Sequence, residues 1–183
     1  MICLSARKIL EAQLARSMGL DVYEELITVA PVTDISNNAE FQRKFNAFYR
    51  VRRNDGWRKV YYRLFERAKK ERLSFADVLR ELFAQTGNVE ASFTSKMMTT
   101  LDVSKPIWDQ YVLMNLGLEL KGKTPEDRVR NAVELYGQIE CWYAEYLLTD
   151  EAKENIAMFD SLLPAYSWVS DVKKIDCLLW SNR

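Results

Sequence analysis

The chain has 183 residues, 48% hydrophobic and 28% charged, with 26 Lys+Arg against 26 Asp+Glu. That is enough for one packed core and too apolar for a disordered segment, and a net charge of zero leaves electrostatic function to the arrangement of charges. Histidine is absent, which excludes Ser-His-Asp and Cys-His nucleophile systems, H-E-x-x-H metal sites and imidazole bases.

Helical periodicity runs the length of the chain. Ser5 can cap a helix through Met18 that Gly19 ends, and a short helix follows over Asp21–Val29 before Pro31 and Ser36-Asn37-Asn38 mark a loop. Phe41, Phe45, Phe48 and Tyr49 lie on one face of the next helix, which Asn54-Asp55-Gly56 breaks. A further helix sets Trp57, Val60, Tyr61, Leu64 and Ala68 against Lys59, Arg63, Arg67 and Lys70. Ser74 and Asp77 form a capping signal for a helix that Gly87 closes. Phe93, Met97 and Leu101 share a face within 89–101, and Pro106 sits in the first turn of a helix to Leu116, with Gly117 at its end.

Because Ile107, Trp108, Tyr111, Val112, Leu113, Met114 and Leu116 make that helix apolar on nearly every side, the expectation is a buried central helix over 106–116. Thr124-Pro125 opens the longest helix, to about Leu148, with Val129, Val133, Tyr136, Ile139, Tyr143 and Tyr146 as its core face. Helices over Glu151–Leu163 and Ser170–Trp180 complete the pattern. No strand alternation, repeat or linker interrupts it, so the expected fold is all-α: one compact domain of eight or nine helices spanning 1–183.

No apolar run approaches a membrane span, and the start, Met-Ile-Cys-Leu-Ser-Ala-Arg-Lys, does not read as a signal peptide; the expectation is a cytoplasmic protein without a membrane partner. Cys3, Cys141 and Cys177 are far apart and form no C-x-x-C pair. They are expected as reduced, packed apolar residues, and neither a metal nor a cofactor is expected.

Charge is unevenly placed. Residues 43–72 hold twelve Lys/Arg against Asp55, Glu66 and Glu71, while residues 134–160 hold seven acids against Lys153. Within the basic stretch, Arg50, Arg52, Arg53, Arg58 and Lys59 surround a turn that also carries Trp57. Guanidinium groups there could bridge phosphates and an aromatic could stack on a base, which suits DNA or RNA; the same residues also suit an aromatic core with a solvated cationic face. Lys96 shares a face with Ser92, Ser95, Thr99 and Thr100 and has no carboxylate four residues away. That suits a phosphate or an extruded base, or equally close helix packing with a snorkelling lysine. The aromatics at 136, 142, 143, 146, 166, 168 and 180 are taken as core.

The segments Ser92–Leu101 and Lys105–Leu118, with Trp108-Asp109-Gln110-Tyr111-Val112 and Leu116-Gly117-Leu118, resemble part of the helix-hairpin-helix DNA glycosylase superfamily. The resemblance implies an all-helical fold, a catalytic role for Asp109 in expelling a base, and a lysine nucleophile near Ser95, where Lys96 is one residue away. It covers about 27 residues, and the hairpin's paired glycines are reduced to Gly87. An aspartate at a helix start is also favoured by the helix dipole alone. Two functional expectations stand side by side: a nucleic-acid-binding protein of glycosylase-like fold without standard lyase chemistry, and a non-catalytic helical module that binds another protein.

Overall fold

The computed structural model describes residues 19–182, so the helix expected over Ser5–Met18 and the residue Cys3 lie outside the described residues. Among the described residues are nine α-helices, two single-turn 3-10 segments and no strand. None of these helices is long and apolar enough to cross a membrane.

Helix α1 (Leu20–Val29) runs into the 3-10 turn Ala30–Val32, where Pro31 stops it. Helix α2 (Ala39–Phe48) starts under the side chain of Asn38, which accepts the Phe41 N–H. Helix α3 (Asp55–Glu71) starts in the same way under Asn54, so Asn54-Asp55-Gly56 is a cap as well as a break. Phe45 of α2 packs its ring against Tyr61, Tyr62 and Phe65 of α3, making an aromatic seam that buries all four. Helix α4 (Phe75–Thr86) opens with a complete Ser74/Asp77 capping box. It packs on α3, on α5 (Ala91–Leu101) and on α7 (Pro125–Tyr146), where Phe75 stacks on Tyr136 with centroids 3.8 Å apart. Helices α6 (Gln110–Leu116), α8 (Asp150–Leu162) and α9 (Asp171–Ser181) close the bundle, with α9 against both α6 and α8. One hydrophobic cluster reaches from Leu20 to Leu179.

The centre is not where the sequence places it. Helix α6 begins at Gln110 rather than in the Pro106 turn, and Val112 is its single fully buried residue; Leu116 is half-buried and Met114 is exposed. What is buried is the non-helical stretch before it, Pro106-Ile107-Trp108. Its backbone is tied on three sides. Tyr136 donates its hydroxyl to the Pro106 carbonyl at 2.9 Å, the Ile107 N–H reaches Asp176 at 3.4 Å, and the Trp108 N–H reaches the Ser95 hydroxyl at 2.9 Å. Those bonds satisfy backbone groups that a helix would otherwise have absorbed. The helices buried on most sides are α5 and α9: seven of the 11 residues of each are buried. Two hydroxyls on α5 bond to their own helix, Ser95 to the Ser92 carbonyl and Thr100 to the Lys96 carbonyl, while that of Thr94 is buried without a partner.

Smaller differences have local causes. Cys141 is exposed on α7, so only Cys177 of the described cysteines packs as an apolar side chain. Trp168 is 42% exposed rather than core. The Leu116-Gly117-Leu118 cap is a Schellman motif: Gly117 takes φ 66°, its N–H bonds to Met114 and the Leu118 N–H to Leu113.

Candidate nucleic-acid interface and interior polar cluster

The turn between α2 and α3 is built by a second Schellman motif. The Val51 N–H bonds to the Asn46 carbonyl and the Arg50 N–H to Ala47, which forces Arg50 to φ 53°, where glycine is the usual occupant. Of the five cations expected to act together, Arg50, Arg52 and Lys59 are exposed and carry no ion pair. Arg53 is committed: its guanidinium holds Glu90 at 2.7 Å and lies over the rings of Trp57 and Phe93. Arg58 is half-buried, donates to the Val51 carbonyl at 3.3 Å and sits 3.7 Å from Asp55. Trp57 is buried and stacked on Tyr61, so it is a core residue and not a platform for a base.

The basic stretch is partly neutralised by nearby acids, not by the acidic helices at 134–160. Lys44 meets Glu25 and Glu40, Lys69 and Lys70 meet Glu66, and Arg67 meets Glu71 and Glu81. The acidic helices instead take Lys105 (Glu140) and Lys174 (Asp160). The exposed, unpaired cations that remain in 43–72 are Arg43, Arg50, Arg52, Lys59, Arg63 and Arg72. Arg43, Arg58 and Lys59 line an open groove of about 410 Å³ between α2 and α3, with Gln42, Asn46 and the one acid Asp55. Arg43 belongs to this surface although the turn motif alone does not point to it.

Lys96 projects from α5 onto aromatic faces, 5.0 Å from the Phe93 centroid and 5.8 Å from that of Tyr49. Burial lowers its pKa, an effect that Asp109 and Glu90 oppose and Lys173 reinforces. Asp109 is therefore within electrostatic reach of Lys96, with no ion pair between them. Asp109 is also the N-cap of α6, its carboxylate accepting the Tyr111 N–H at 2.9 Å. Ser95, the position where the resemblance puts a nucleophile, is fully buried and spends its hydroxyl on the Trp108 N–H.

Two buried charged residues on α9 are not among those the sequence singles out. Lys173 and Asp176, both on α9, are 7% and 3% exposed. Tyr143 donates its hydroxyl to Asp176 Oδ1, while Oδ2 is buried without a partner. Burial pushes the Asp176 carboxyl up to about 6, even though Lys173, Tyr143 and the Ile107 N–H favour its charged form. The Lys173 ammonium lies over the Tyr23 ring at 4.8 Å. Burial works against its charge, yet Cys177, Asp176, Tyr23 and Asp109 together leave its pKa raised. The buried hydroxyls of Tyr23 and Tyr49 lie near the hydroxyls of Thr99 and Thr100, and burial raises both pKa values, so both are neutral phenols. The signal was present in Lys173-Lys174-Ile175-Asp176-Cys177-Leu178-Leu179, where charges interrupt an otherwise apolar run. Among the described residues no three His, Cys, Asp or Glu side chains gather as metal ligands would.

No family model, no curated protein and no solved structure matches the chain.

Proposed function

We propose that this protein binds DNA or RNA through the exposed cations of the α2–α3 turn and groove, with the Lys96/Asp109 pair at the edge of that surface. One observation carries the reading: Arg53 from the turn and Lys96 from α5 lie over the same ring, Phe93. The sequence separates them by more than forty residues, and their meeting on one ring supports a surface in which the turn's cations and Lys96 act together. Arg50, Arg52, Lys59 and Arg43 hold the backbone, and Arg53 and Arg58 shape the turn that presents them. The glycosylase-like reading of 92–118 draws support from the α4–Gly87–α5 hairpin and from the electrostatic influence of Asp109 on Lys96.

Standard lyase chemistry is not part of the proposal. Lys96 is packed against two aromatic faces, Ser95 is consumed by Trp108, and Asp109 caps its own helix. Borohydride treatment with DNA containing an abasic site should leave no covalent adduct; an adduct at Lys96 would overturn that part. The binding itself is tested by fluorescence anisotropy with single- and double-stranded oligonucleotides across a salt series. Affinity should fall steeply as salt rises, because each phosphate contact releases counterions. Binding of a protein partner that is indifferent to salt, with no affinity for oligonucleotides, would favour the interaction-module reading.

A further inference from the structure

The open groove between α2 and α3 gathers its side chains by helical spacing. Gln42, Arg43 and Asn46 share one face of α2, and Asp55, Arg58 and Lys59 come from the first two turns of α3. Three cations there meet one carboxylate. Asp55 lies 3.7 Å from Arg58, and Arg43 and Lys59 hold no ion pair. A second groove, of about 370 Å³ on α4 and α7, balances Arg80 and Arg130 against Glu126 and Glu134. Excess positive charge therefore belongs to the α2–α3 groove and is not a feature of every hollow on the surface. Its donors are also unspent. The Tyr62 hydroxyl donates to Asn46 Oδ1 at 2.7 Å, which fixes that amide and leaves its two N–H groups without a partner. Arg58 gives one N–H to the Val51 carbonyl at 3.3 Å, while its Nε is buried with no hydrogen bond. Buried donors in proteins nearly always have an acceptor, and an anion with several oxygens would supply one.

We propose that the α2–α3 groove binds a phosphate monoester, with Arg43, Arg58 and Lys59 around its terminal oxygens and Asn46 donating to one of them. The inference rests on the nucleic-acid reading only for the source of the monoester, which is the phosphorylated end of a strand or a free nucleotide. The charge balance selects a monoester over the diester of an internal linkage. A diester carries one negative charge and two free oxygens, which an exposed cation of the neighbouring turn, such as Arg50 or Arg52, can meet alone. A monoester carries about two negative charges at neutral pH and three terminal oxygens. Three cations less one carboxylate leave the groove with a net charge of two, of the opposite sign. Two of the three cations are arginines, whose planar forks match pairs of phosphate oxygens. The volume of about 410 Å³ also leaves room for the sugar that carries the phosphate.

The test is titration of the full chain with one single-stranded oligonucleotide in three forms, 5′-phosphorylated, 3′-phosphorylated and hydroxyl-ended, and with thymidine monophosphate beside thymidine. One phosphorylated form should bind at least about tenfold more tightly than the hydroxyl-ended strand, or thymidine monophosphate at least about tenfold more tightly than thymidine, as charge-assisted hydrogen bonds require. The first result assigns the groove to strand ends, the second alone to free nucleotides. Arg43→Gln, checked for folding by circular dichroism, should bring the preferred ratio close to one. Arg72→Gln, at the other end of α3, should leave that ratio as it is in the wild type. No discrimination in either comparison overturns the proposal, as does a ratio that survives in folded Arg43→Gln or collapses in Arg72→Gln. Both ligand comparisons use the wild type alone, so they decide even where a variant does not fold. The same titrations separate the two readings. If oligonucleotides bind alike whatever their ends and thymidine monophosphate does not bind, the groove site falls alone. If thymidine monophosphate binds and no oligonucleotide does, the groove site stands and the nucleic-acid reading falls.

Discussion

Arg53 and Lys96 place their cationic groups 5.6 Å and 5.0 Å from the centre of one ring, that of Phe93. Arg53 also holds Glu90, the residue at the N-cap position of α5, so the turn between α2 and α3 is fastened to the helix that carries Lys96. Replacing Phe93 by leucine keeps apolar bulk and removes both cation–ring contacts. The expected cost is about 1–2 kcal/mol, the sum of two partly desolvated contacts. Urea unfolding measures it, and an unchanged midpoint would mean the ring is only a spacer.

Lys96 itself should burden the fold. Burial lowers its pKa in the native state, so a proton that the unfolded chain binds readily is bound less well after folding. The penalty is complete below the folded pKa and vanishes above the unfolded value. Lys96→Met should therefore raise the melting temperature at neutral pH, with the gain shrinking as pH climbs toward the ordinary lysine range. A lower melting temperature at neutral pH would show that the ammonium stabilises its surroundings.

Asp176 gives the opposite pH window. Its carboxyl is pushed up to about 6 from an ordinary value of 3.8. Between those values the folded chain keeps a proton that the unfolded chain releases, so stability falls as pH rises through the window, by roughly 3 kcal/mol at 1.4 kcal/mol per unit. Asp176→Asn should flatten this slope in denaturation curves taken from pH 4 to 7. A slope unchanged by the substitution would assign it to another group.

Much of the helical architecture is legible in the sequence because caps and periodicity are local. Ser74/Asp77, Asn54, Gly87, Thr124 and Gly117 each mark a helix end within a residue or two. The centre is not legible, because Pro106-Ile107-Trp108 is as apolar as a buried helix and its burial depends on bonds to Ser95, Tyr136 and Asp176 from distant segments. Asp109 and Lys96 stand out through the resemblance of 92–118, while Lys173 and Asp176 show in the sequence only as charges within an apolar run, with nothing local to say that they are buried. On α9, Lys173 is covered by Tyr23 of α1 and Asp176 by Tyr143 of α7 and the Ile107 backbone, which sequence does not reveal. Trp57 suits core and surface equally in the sequence, and its stack on Tyr61 places it in the core.

Arg50 lies at φ 53°, a conformation costing an L-residue about 1–2 kcal/mol relative to glycine. Arg50→Gly should stabilise the protein by about 1 kcal/mol and weaken oligonucleotide binding at the same time. Glu66 is the matching control away from the interface. Its carboxylate accepts the Ile35 N–H at 2.9 Å and pairs with Lys69 and Lys70. Burial works to raise its pKa, but those partners leave it lowered, so its contribution is present at neutral pH and is lost as pH falls through the folded value. Glu66→Gln should cost about 2 kcal/mol at pH 7 and leave oligonucleotide affinity unchanged.

The central claim rests on exposed cations, and charge reversal tests it most directly. Arg52 and Lys59 are exposed and hold no structural partner, unlike Arg53, so Arg52→Glu/Lys59→Glu should fold as the wild type does. Oligonucleotide affinity of this variant and of the wild type is measured by anisotropy at low and moderate salt. The account predicts at least about tenfold weaker binding in low salt and a shallower dependence on salt, since about two phosphate contacts are lost. Equal affinity and an equal salt slope in the two proteins would contradict it.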